Sequence, residues 1–173
     1  MLRYEWREER GIMDNKIGLQ KELDTYHLSG KWNDYVGVQK RVVNILKEEG
    51  FFENNIVVND DSKMVIRITA KGIKETLSKG KRFQNLPRRL KELKVATLRS
   101  IPMLIQLGTL FADDVQNIHG ENSVFAYLTH EIMIDEEVYK VRISIKRKAG
   151  SNIFWMHNID CKEKSLELLD LRS

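Results

Sequence analysis

Two histidines, His130 and His157, lie in stretches with a β-strand pattern, and Arg142, Lys146 and Lys74 lie in basic segments of the same chain. Imidazole carries a proton in either direction near neutral pH. With lysine, arginine and hydroxyl side chains it forms a kit that can cleave RNA without a metal. RNA supplies its own nucleophile, the 2′-hydroxyl. The protein need supply only a base, an acid and cations for the charge that builds on phosphate oxygens.

Each of these residues also has an ordinary structural explanation. A histidine in an apolar strand is commonly a hydrogen-bonded core residue. Lysine and arginine at alternate strand positions commonly make a solvated sheet face. His27 falls at a helix end, where it complements the dipole. His119, beside Gly120, reads as a loop residue. Trp155 and Tyr127 could stack on a base or fill a core.

The charge is sorted along the chain. Ten basic residues and two acids, Glu75 and Glu92, lie between Lys71 and Arg99, and Lys140, Arg142, Lys146, Arg147 and Lys148 form an acid-free cluster. The whole chain carries a net charge of +4, so the remainder is strongly acidic. Concentrated basic surface suits a polyanion, most often nucleic acid.

Composition narrows the class. At 173 residues, with 42% hydrophobic and 31% charged residues, the chain suits a packed globular domain. Cys161 is the single cysteine, which excludes an intrachain disulfide and a cysteine-based zinc site. There is no Walker A loop, dinucleotide fingerprint or His-Glu-x-x-His pair. Asp113-Asp114 reads as a solvated loop or a cap, and a two-metal site would need further inward carboxylates. No cofactor is expected. Met1–Arg10 is charged and lacks the apolar core of a signal peptide. The longest apolar run, Ile101–Ala112, is too short to cross a bilayer. A cytoplasmic location without membrane contact is expected.

The elements that must hold these side chains follow from periodicity. Leu19, Leu23 and Tyr26 mark a short helix ended by Gly30. Asn33 or Asp34 can cap a second helix with Tyr35, Val38, Val42 and Ile45 on one stripe and Gly50 as its stop. Residues 1–50 form an N-terminal helical segment that is read as supplying no strands. Residues 51–173 form an α+β part. It opens with a hairpin of Asn55–Val58 and Met64–Thr69. A helix capped by Thr69 follows, with Ile73 and Leu77 inward and Lys71 and Lys74 outward. Next come a Pro87 helix with Leu86, Leu90 and Leu93 inward, and a helix over Ser100–Leu107. Val124–Ile134, Val138–Lys146 and Ile153–Ile159 read as an antiparallel meander. In its last strand Ile153, Trp155, His157 and Ile159 share a face. Lys164–Leu171 reads as a closing helix. The fold class is α+β: N-terminal helices packed on a small antiparallel sheet, a hairpin plus a three-stranded meander.

Residues 67–78 (RITAKGIKETLS), the Leu86-Pro87 helix, residues 139–146 (YKVRISIK) and residues 154–157 (FWMH) resemble a nuclease-like family. It occurs in large phage polyvalent proteins and at the C-termini of phage MuF-type head proteins. It is grouped with the metal-independent ribonuclease toxins of barnase, EndoU, colicin E5/D and RelE-like fold. The resemblance covers about residues 56–160. It implies a bacterial or phage-associated endoribonuclease, a toxin-like hydrolase, or a decayed version that only binds. By position it assigns catalysis to His157, Arg142, Lys74 and Thr76, with Thr76 as an orienting hydrogen bonder. The basic clusters, rather than the resemblance alone, assign nucleic-acid binding to Lys71, Lys79, Arg88, Arg89 and Lys146. Lys79 stands where many relatives carry histidine. The expected partners are RNA and a cognate immunity or antitoxin protein.

Overall fold

The computed structural model describes residues 16–28, 31–77, 81–116 and 122–163. Lys79, Gly30, His119 and the predicted closing helix over Lys164–Leu171 lie outside the described residues. The strands are β1 (Lys16–Ile17), β2 (Ile56–Val58), β3 (Val65–Arg67), β4 (Thr109–Gln116), β5 (Ser123–Ile134), β6 (Glu137–Lys148) and β7 (Ile153–Glu163). The helices are α1 (Leu19–Thr25), α2 (Tyr35–Glu48), α3 (Ala70–Thr76), α4 (Lys81–Gln84), α5 (Arg88–Thr97) and α6 (Ile101–Leu107). The class is α+β, as the pattern of elements predicts.

The sheet is larger and more mixed than expected. The described strands join into one seven-stranded sheet in the order β1-β5-β6-β7-β3-β2, with β4 also paired to β5. The hairpin of β2 and β3 is therefore not a separate unit. β3 runs parallel to β7, with Val65, Ile66 and Arg67 opposite Ile153, Phe154 and Trp155. A three-residue hairpin cannot bury Val57 and Ile66 by itself, and both side chains join the common hydrophobic core.

Two further strands escape the sequence pattern. Asp113 and Asp114 lie in β4 rather than in a loop or cap. Register shifts at Leu110/Ala112 and Ala112/Val115 break the alternation that would have marked this strand. The N-terminal segment also supplies a strand, since β1 pairs in parallel with Met133 and Ile134.

Local chemistry sets the helix ends. The Asp34 carboxylate accepts from the Gly37 amide at 2.9 Å, and the Thr69 hydroxyl accepts from the Gly72 amide at 3.1 Å. Pro102 occupies the first turn of α6, where its missing N–H costs nothing. Asp135 and Glu136 take φ values of 48° and 68° to make the tight β5–β6 turn. Asn59, just after β2, is fully buried. Its amide donates to the carbonyls of Ile105 and Gly108, each at 2.7 Å, and so pins the hairpin to the end of α6.

One hydrophobic core joins the helices to the sheet. Leu19, Leu23, Val38, Val42 and Leu46 from α1 and α2 share it with Ile73, Leu77, Leu93, Ile143 and Ile145. Ile45 is only half-buried, so the inward stripe of α2 runs through Leu46 instead. Arg99 binds Glu22 and Glu49 and stacks over Tyr26 at 4.7 Å, which ties α1 and α2 to the end of α5. A chain beginning at Phe51 loses all of these contacts. It is expected to lose its cooperative thermal transition. A retained sharp transition, read by circular dichroism, would show that residues 51–173 fold alone.

Candidate nucleic-acid interface

His157 owes its position to a bulge. On β6, Ser144 lies opposite Asn158 and the next residue, Ile145, opposite Met156, so His157 is an extra residue in β7. The burial pattern changes phase there. Phe154 and Met156 are buried before the bulge, and Ile159 and Cys161 after it. Ile159 therefore does not share a face with Trp155 and His157, contrary to strict alternation. His157 meets the Phe125 ring edge-on at 5.5 Å. Phe125 in turn pairs with Lys146 on the half-buried face of the sheet, opposite the core.

α3 forms the wall beside this face. A Cβ on Gly72 would lie 2.3 Å from the Met156 carbonyl oxygen, so only glycine lets the helix approach β7 so closely. Lys71 and Glu75, four residues apart, share one side of α3. The Glu75 carboxylate comes within 2.6 Å of His157 Nδ1. The close charged partner of His157 is thus an acid. Sequence reasoning missed Glu75, although it is the lone acid between Lys71 and Lys91.

Two cavities meet at Glu75. The first, about 390 Å³, is lined by Lys71, Glu75, Lys146, Arg147, Lys148 and Trp155, among others. The second, about 250 Å³, includes Glu75, Lys94, Arg142, Asn158 and Asp160. His157 lines neither cavity, while its partner Glu75 lines both. In the second, Asp160 bridges Arg142 at 3.3 Å and Lys94 at 3.5 Å. Arg142 also stacks over Tyr127 at 5.2 Å. Lys94 is 5% exposed and donates to the Thr76 carbonyl and to Asn158, each at 3.2 Å. The legible signal for Lys94 is its place beside Leu90 and Leu93 on the inward stripe of α5.

The other predicted residues do not converge on His157. Lys74 is exposed and lines neither cavity, and its carbonyl accepts from Gln39 of α2 at 2.8 Å. Thr76 is buried, and its hydroxyl donates to the Gly72 carbonyl of its own helix. Arg88 pairs with Glu92 at 2.9 Å, and Arg89 donates to the Tyr139 hydroxyl at 3.2 Å. Tyr139 lies seven residues along β6 from Lys146, roughly 23 Å away at the usual strand rise. The two basic stretches thus meet at Lys71 and separate at Arg88 and Arg89.

Two further groups are set aside by their surroundings. His130 is on the core face opposite Val141, and burial holds its imidazole below the usual range. Burial pushes the Cys161 thiol up to about 12, so it is no thiolate nucleophile at neutral pH. Among the described residues, no cluster of three or more His, Cys, Asp or Glu is placed to hold a metal ion. Nor is any described helix long and apolar enough to cross a membrane.

A family model described as large polyvalent protein-associated domain 3 matches residues 39–154. The chain belongs to this family. The family's span begins inside α2, takes in Lys71, Glu75 and Lys146, and ends one residue before Trp155. No curated protein and no solved structure is similar enough to the chain to match it.

In this family member the first cavity is the place where cations cluster. Charge reversal at Lys71, Lys146 and Lys148 is expected to flatten the salt dependence of single-stranded RNA binding. The slope of log K against log salt should fall by about 2, at about 0.7 per lost phosphate contact. Reversal at Arg88 and Arg89 should change it by less than about 1. Filter binding across a salt series checks this, and equal effects from the two sets would contradict it.

Proposed function

We propose that this chain is a metal-independent endoribonuclease that cleaves RNA by 2′-hydroxyl attack, with the barnase, EndoU, colicin E5/D and RelE-like arrangement of helices against a sheet. The observation that carries the reading is the 2.6 Å approach of Glu75 to His157 at the rim of a cavity lined by four cations. A carboxylate at Nδ1 orients the imidazole, directs Nε2 away from itself, and stabilises the imidazolium as it forms. His157 then takes the 2′-hydroxyl proton. The 2′-oxygen bonds to phosphorus, the bond to the 5′-oxygen breaks, and the leaving oxygen takes a proton from a solvent water, which the His157 imidazolium reprotonates. Lys71, Lys146 and Arg147 hold the phosphate and offset its developing charge. Arg142, paired with Asp160, buttresses the second cavity.

A second reading is RNA binding without cleavage. It is favoured by the exposure of Lys74 away from the groove and by the pairing of Arg142 with Asp160. An acidic immunity or antitoxin protein seated over the same cations is the partner either reading expects.

The variant His157→Ala is expected to cut EDTA-resistant RNA cleavage by about two to four orders of magnitude. Glu75→Gln should cut it by at least about tenfold, chiefly in kcat. RNA affinity should change by less than about twofold in both. Gel assays of cleavage, read beside melting temperatures, check this. Full activity in folded His157→Ala, or no cleavage by the wild type, would leave the binding reading.

A further inference from the structure

The register of the sheet builds a cross-strand row of which the cleavage reading uses only Lys146. Arg67 on β3 lies opposite Trp155 on β7, Trp155 opposite Lys146 on β6, and Lys146 opposite Phe125 on β5. Directly paired residues project from the same face of a sheet. The row therefore alternates cation, ring, cation, ring across four neighbouring strands. All four side chains are half-buried, so the backbone and packing hold them in place. Trp155 and Lys146 line the larger cavity. Arg67 Nε is buried with no hydrogen-bond partner among the described residues. Phe125 touches the His157 ring, so the row runs alongside the Glu75–His157 pair.

We infer that this row binds an unpaired stretch of RNA, with two splayed bases stacked on Trp155 and Phe125 and the linking phosphate over Lys146. The inference rests on the reading of RNA as substrate and names the class of RNA. The two rings are two strands apart, roughly 10 Å at the usual strand spacing. Stacking on a sheet-borne ring needs an open base face, which single strands offer and a duplex hides. Cations between the rings meet the backbone that joins the bases. An acidic protein would account for the cations but not for rings in register with them.

The test uses a 12-nucleotide RNA with 2′-O-methyl groups, which the wild-type protein can bind but cannot cleave by 2′-oxygen attack. Fluorescence anisotropy compares it with its duplex and with polyglutamate. The single strand should bind at least about tenfold more tightly than either. Trp155→Ala should weaken it by about 10- to 100-fold, as loss of one stacked base does, while Trp155→Phe should stay within about threefold. Duplex or polyglutamate binding equal to the single strand overturns the inference, as does unchanged affinity in a folded Trp155→Ala protein. The two readings fail separately. Stacked binding of unmodified RNA without any cleavage overturns the nuclease and leaves this row. Cleavage by Trp155→Ala with unchanged KM overturns the row and leaves the nuclease.

Discussion

The extra residue in β7 is the constraint on which the site depends. Without it, the strand would keep one phase from Ile153 to Glu163, and either Met156 or Ile159 would face away from the core. The bulge lets both stay buried. It also leaves His157 and Asn158 half-buried side by side, each with a different task. His157 meets Glu75, and Asn158 accepts from Lys94. A sheet irregularity thus re-aims two polar side chains without loss of core. Gly72 completes the geometry, because its bare Cα lets α3 bring Glu75 down onto the strand.

The electrostatics divide along the same line. On one side of Glu75, the cations Lys71, Lys146, Arg147 and Lys148 face a cavity with little acid to offset them. On the other, Lys94 and Arg142 are offset by Asp160. A buried lysine such as Lys94 is tolerable only with partners, and removing Asp160 would leave it uncompensated. The first cavity is suited to an incoming polyanion, and the second is suited to holding β7, α3 and α5 together.

Much of the scaffold was legible because the signals are local. The cap at Thr69, a cap at Asn33 or Asp34, the inward pair Ile73 and Leu77, and the alternation of β6 follow from spacing alone, and the structure selects Asp34. The joining of hairpin and meander was not legible, because parallel pairing of β3 with β7 is a long-range event with no local mark. β4 was hidden by its own register shifts. For the site, Lys146 lines the first cavity, as does Trp155, which was read as stacking ring or core, while His157 lies behind Glu75 and lines neither cavity. Lys74 was put forward because its charge suits phosphate, and its neighbour Glu75 was not considered for the site. On α3 the two positions differ by one residue, about 100° around the helix, and Glu75 is the one that faces the strand. Thr76, the next residue, is buried with its hydroxyl on the Gly72 carbonyl.

The central claim is that RNA is cleaved by its own 2′-hydroxyl, at the phosphate held beside Glu75 and His157. The chemistry of the product ends tests it most directly. Unmodified RNA incubated with the wild-type protein in EDTA should yield fragments with 2′,3′-cyclic phosphate and 5′-hydroxyl ends, read by mass spectrometry. Fragments with 3′-hydroxyl and 5′-phosphate ends, or intact RNA, would contradict the account.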